Sequence, residues 1–168
     1  MQLTQAAAET RIAELGMDDM PIVQVRPTPH QIAPDWFKKY HELVRVFTTT
    51  LTDSIQELSF LNLPQEDFIN LIMGQHLPEN LSVRFRVPLV WGGKLELENL
   101  FMCVTFPFSH NMDRFIIEQA GNETVWLPDP AKKIYIPAHM AGGGDGGNAT
   151  QDRLTEIAAQ IVTSRGME

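Results

Sequence analysis

Apolar positions over the first 76 residues recur in steps of three and four. TQAAAETRIAEL, Thr4 to Leu15, combines strong helix formers with a threonine able to cap, and predicts a short helix. The clearest stripe follows Pro34-Asp35. Trp36, Tyr40, Leu43, Val44, Phe47, Leu51, Ile55 and Leu58 fall on one helical face, with proline in the first turn and aspartate near the positive end. Thr48-Thr49-Thr50 crosses that stripe with poor helix formers and predicts a bend. A further helix is expected from Pro64 to Gly74, with Glu66 and Asp67 in its first turn and Phe68, Ile69, Leu71 and Ile72 inside. Between these helices PIVQV, Pro21 to Val25, reads as a short strand. RPTPHQIAP reads as a connector whose prolines forbid regular structure.

The pattern changes at Leu77. SVRFRVPLV is short and β-rich, and KLELENLFMCVTF alternates at first and then becomes continuously apolar. RFIIEQ, TVWLP and KIYIPA are three more strand-like runs, separated by Gly121-Asn122 and by Pro128-Asp129-Pro130. AGGGDGGNA has the composition of a flexible linker. A last helix is expected from Asn148 or Thr150 to about Thr163, with Leu154, Ile157, Ala158, Ile161 and Val162 on one face. These elements divide the sequence into a helical region, 1–76, a β-rich region, 77–140, and a linker with a C-terminal helix, 141–168. Together they predict one α+β domain: a helical N-terminal half packed on a small, mainly antiparallel sheet, plus a C-terminal helix.

Composition narrows the function classes. The net charge of −8 is concentrated in the first 80 residues and argues against a nucleic-acid partner, because such binding rests on Lys and Arg neutralising phosphates. An acidic face suits solubility or a basic protein partner. The single cysteine, Cys103, excludes an intrachain disulfide and a cysteine-based zinc site, and its apolar surroundings mark it as a small core residue. No run of about 18 apolar residues is present, and the N-terminal stretch lacks the order of a secretory signal. The expected location is the cytoplasm as synthesised, with export by a specialised secretion system as the alternative. No Gly-x-Ser-x-Gly elbow and no phosphate-binding loop occurs, so neither chemistry is expected.

One constellation carries more. SVRFRVPLVWGGKLELENLFMC holds Pro88-Leu89, Gly92-Gly93 and Asn99-Leu100, with His110 further on. Over residues 81–136, about one third of the chain, this spacing resembles the HNH, or ββα-metal, nuclease domains of colicin-type DNases and bacterial polymorphic toxins. There the core reads His-His, two residues, Pro followed by Leu or Ile, two residues, Gly-Gly, five or six residues, Asn followed by Leu or Ile, then two histidines four apart. WLPDPAKKIYIP, Trp126 to Pro137, is similar to the strand that closes some toxin versions.

The resemblance implies a β-hairpin over about Val83–Leu100 followed by a helix. The glycine pair would permit the turn, and Asn99 would tie it to the backbone. It also implies a metal that stabilises charge on the scissile phosphate and a strand histidine acting as base. Here the strand positions hold Arg84 and Phe85, and the second distal position holds Arg114. Phe85 accepts no proton and Arg84 has no lone pair for a metal. No catalytic residue, cofactor or metal site is therefore expected. The segment from Ser109 is left open between the family's helix and the strand suggested by RFIIEQ.

Arg84 and Arg86 alternate around Phe85 and share one strand face. With Arg114 they form a candidate binding set for a phosphate or carboxylate, or else a solvated face with an internal ion pair. The leading expectation is a non-catalytic protein-binding scaffold or adaptor on a degenerate HNH-like domain, accessory to a bacterial secretion, phage or toxin system. One alternative is an active metal-dependent nuclease with a rearranged site using His110 and Asp113. The other is an acidic, chaperone-like α+β binding module.

Overall fold

The computed structural model describes residues 2–29, 31–141 and 146–166. Its elements in chain order are α1 (Gln5–Glu14), β1 (Ile22–Val25), α2 (Trp36–Thr49), α3 (Ile55–Phe60), α4 (Gln65–Ile72), β2 (Leu81–Phe85), β3 (Leu100–Val104), α5 (His110–Ile117), β4 (Val125–Pro128), α6 (Ala138–Ala141) and α7 (Gly146–Gly166). The class is α+β, as the pattern predicts.

Local sequence accounts for much of this. Thr4 caps α1, its hydroxyl accepting the Ala7 N–H at 3.1 Å. The threonine run ends α2 by competing for its carbonyls: the hydroxyls of Thr48, Thr49 and Thr50 donate to Arg45 O, Val46 O and Phe47 O. The helix tightens into a 3-10 turn over Thr50–Asp53 and restarts as α3.

The strands form two antiparallel ribbons rather than one sheet. β1 pairs with β4, Ile22 opposite Pro128 and Val25 opposite Val125. β2 pairs with β3, Leu81 opposite Val104 and Phe85 opposite Leu100. KIYIPA adds no strand. It touches β3 through a single parallel bridge, with Met102 N–H donating to Lys133 O and Tyr135 N–H to Met102 O, each at 2.8 Å. Prolines at 128, 130 and 137 leave the segment short of backbone donors, so no ladder extends from that bridge.

RFIIEQ is helical. Met112 and Phe115 of α5 are buried, whereas Ile117 is 70% exposed. The apolar triplet that resembles a strand therefore divides between core and solvent at helical spacing. Buried Gln119 closes the helix, donating to Phe115 O and Trp126 O and accepting the Trp126 N–H at 2.7 Å. In α7, Leu154 and Ala158 are buried but Val162 is exposed. The glycine-rich stretch is helical from Gly146, and residues 142–145 lie outside those described.

Two cores share β3. Leu100 and Met102 join α2, α3, α4, β2 and α7 in the first. Phe101 and Cys103 join α1, α5, Trp126 and Tyr135 in the second. The alternation follows from strand geometry, which sends successive side chains to opposite faces. The spatial division thus runs across the sequence regions, since α1 packs with late elements rather than with α2–α4. Among the described residues no helix is long and apolar enough to cross a membrane.

Leu100→Ala, in the first core, and Phe101→Ala, in the second, are each expected to lower stability by about 2–5 kcal/mol. Because one strand serves both cores, urea transitions followed by tryptophan fluorescence and by helical circular dichroism should coincide in the parent and in both variants. Separated transitions would show the two cores to be independent.

Candidate functional site

The chain from β2 through β3 to α5 is a hairpin followed by a helix, and polar contacts fix its geometry. Pro88 precedes a short 3-10 turn, Leu89–Trp91, which Gly92 ends at φ +97°. A Cβ on Gly93 would lie 1.9 Å from the Val87 carbonyl oxygen, so only glycine fits there. Asn99 closes the loop. Its Nδ2 donates to Val87 O at 3.0 Å and to Lys94 O at 2.9 Å, and its Oδ1 accepts the Val87 N–H at 2.9 Å.

Arg84 crosses from β2 to the start of α5. Its Nη1 donates to Ser109 O at 3.1 Å and to Ser109 Oγ at 2.8 Å, and lies 2.8 Å from Asp113 Oδ1. The Arg84 side chain is only 14% exposed, whereas that of Asp113 is 58% exposed. Arg84 Nε is buried with no hydrogen-bond partner among the described residues. Phe85 points the other way and packs against Tyr40 with ring centroids 5.2 Å apart, while Tyr40 donates its hydroxyl to Val83 O. Burial pushes the nearby Cys103 thiol up to about 12, with Arg84 pulling it down and Asp113 raising it. That thiol stays protonated and unreactive at neutral pH.

The three candidate arginines serve different partners. Arg86 donates to Asp129 Oδ1 at 3.0 Å and to the carbonyls of Pro130 and Lys132, and its guanidinium lies 5.4 Å from the centroid of the Phe101 ring. It anchors the segment after β4 to the hairpin. Arg114 is exposed and approaches Glu118 at 3.5 Å. Glu118 also takes two hydrogen bonds from Arg11 on α1. The Arg11 hydrogen bonds are the main cause that holds Glu118 below the usual carboxylate range and raises Arg11. No shared anion cradle follows from these separate pairings.

A catalytic metal does not fit the donors that the frame presents. Its strand positions offer a paired guanidinium and a phenyl ring, and the second distal position offers Arg114. His110 is exposed and lies edge-on to the Phe106 ring at 5.6 Å. Asp113 is engaged by Arg84. Among the described residues no group of three or more His, Cys, Asp or Glu could hold a metal. Comparison with protein-family models, with curated proteins and with solved structures finds no match.

Sequence spacing alone did not reveal the partners Ser109, Asp113 and Asp129, because they lie far along the chain from the arginines they satisfy. Of the signals available, only the pairing of an arginine face with later acids pointed that way.

Two stability predictions follow from these contacts. Gly93→Ala must displace the Val87 carbonyl and its bonds to Asn99. It should cost more than Gly92→Ala, whose expense is that of a positive φ, about 1–2 kcal/mol. Asp113→Ala leaves a largely buried guanidinium with Ser109 alone, at a cost of about 1–3 kcal/mol. Adding Arg84→Met removes the orphaned charge while keeping the volume, and should recover most of that loss. Urea denaturation of the four variants checks both orderings.

Proposed function

We propose that this chain is a non-catalytic protein-binding scaffold or adaptor built on a degenerate HNH-like frame, working as an accessory of a bacterial secretion, phage or toxin system. The observation that carries the reading is the Arg84–Ser109–Asp113 cluster. In the frame that the sequence resembles, the space between first strand and helix serves a metal and a base. Here the hairpin, its glycine turn and its asparagine clasp are present, but an internal ion pair joins strand to helix. A guanidinium cannot ligate a cation or take a proton.

The acidic balance of the chain supports a protein rather than a nucleic-acid partner. The exposed apolar side chains Phe37 and Val46 on α2, and Phe106 and Ile117 around α5, offer contact area for such a partner.

The purified protein, incubated with plasmid DNA or RNA in Mg²⁺, Mn²⁺, Ni²⁺ or Zn²⁺, is expected to leave both intact and to carry no stoichiometric metal by elemental analysis. Metal-dependent cleavage that disappears in His110→Ala would overturn the reading in favour of a rearranged nuclease.

A further inference from the structure

A cleft of about 320 Å³ opens between α3 and the segment after β4, and Arg84 is not among its lining residues. Its walls are apolar, formed by Pro21, Phe60, Pro130, Ile134 and Ile136. Its polar groups are the carboxylates of Asp19 and Glu57, with Gln56, Lys132 and Tyr135 beside them. The Glu57 side chain is only 12% exposed, and its cation partner is Lys132, whose own side chain is 67% exposed and lies 2.7 Å away. Asp19 lines the cleft as well, accepting a hydrogen bond from the Tyr135 hydroxyl at 2.8 Å. Burial, chiefly, and that bond to Asp19 raise the Tyr135 phenol well above its ordinary value, with Asp18 adding to the rise. Tyr135 therefore remains a donor that holds the Asp19 side chain in place. A second hollow, lined by Glu9 and Asp18, adjoins through Asp19 and Pro21 and extends the negative surface.

A largely buried carboxylate neutralised by a solvated lysine is a seat for an exchangeable cation. Apolar walls beside it suit the aliphatic stem of a basic side chain, which buries its methylenes while its head meets charge. The excess of acid over base in the whole chain matches such a ligand in sign.

We propose that this cleft receives a lysine or arginine side chain presented by a protein partner, with Glu57 and Asp19 as its counter-ions and Lys132 as the internal cation it displaces. The inference deepens the scaffold reading and rests on it for the partner being a protein.

The test is a nuclear magnetic resonance titration of the full chain with N-acetyl-arginine methylamide, with the neutral citrulline analogue as control. Shifts are expected to cluster at Phe60, Ile134 and Tyr135 with the arginine probe only. Glu57→Gln should weaken binding by about tenfold or more, and Lys132→Met should strengthen it. Glu66→Gln and Lys94→Met make the same charge changes at exposed positions outside the cleft and should have little effect. Equal shifts from citrulline, shifts scattered over the acidic surface, no shifts at all, or equal effects from the remote variants would each overturn the proposal. A failed titration on a protein that leaves DNA intact removes this docking chemistry alone. Cleavage of DNA removes the scaffold reading, whatever the titration gives.

Discussion

Burial of β3 on both faces is the constraint on which the rest of the structure depends. Leu100 and Met102 enter one core, and Phe101 and Cys103 enter the other. Each fully buried aliphatic or aromatic side chain contributes about 1.5–3 kcal/mol of transfer free energy, so this short strand gathers much of the apolar stabilisation at the centre of the molecule. Both cores must form for either face to be covered. That is why α1 and α5 close one side while α2, α4 and α7 close the other, although sequence order would not group them so.

Around this strand, three arginine–carboxylate pairs fasten elements together. Arg84 holds β2 to α5, Arg86 holds the hairpin to the segment after β4, and Arg11 holds α1 to the end of α5. In the first two the arginine is the buried member and the carboxylate the better solvated one. Such a pair gains from its fixed hydrogen bonds to carbonyls and hydroxyls as much as from charge. The planar fork of arginine suits it to this use where lysine would not serve.

Elements governed by local rules were legible in the sequence: the Thr4 cap, the bend at Thr48–Thr50, and the turn framed by Pro88, Gly92, Gly93 and Asn99. Features decided by distant contacts were not. RFIIEQ and KIYIPA each look like strands in isolation. The first is helical because Met112 and Phe115 find a core at helical spacing. The second stays irregular because β3 offers it a single bridge and its flanking prolines offer no donors. The arginine face was visible, but the residues that satisfy it were not, since spacing along a chain carries no record of which acid folds back. The cleft at Glu57 and Lys132 draws on α3, on the segment after β4 and on the loop before β1, three stretches with no shared motif.

Asn99 has a further consequence, for register. A strand that is polar on one face announces any one-residue slip by burying the wrong residues. β3 is apolar on both faces, so a slip would exchange its two sides at little hydrophobic cost. The hydrophobic pattern therefore does not say which residue of β3 opposes which residue of β2. The side chain of Asn99, bound to Val87 on one flank and Lys94 on the other, supplies that missing instruction at the residue just before the strand begins. What resembles a relic of catalysis is, in this chain, the mark from which the central strand is counted.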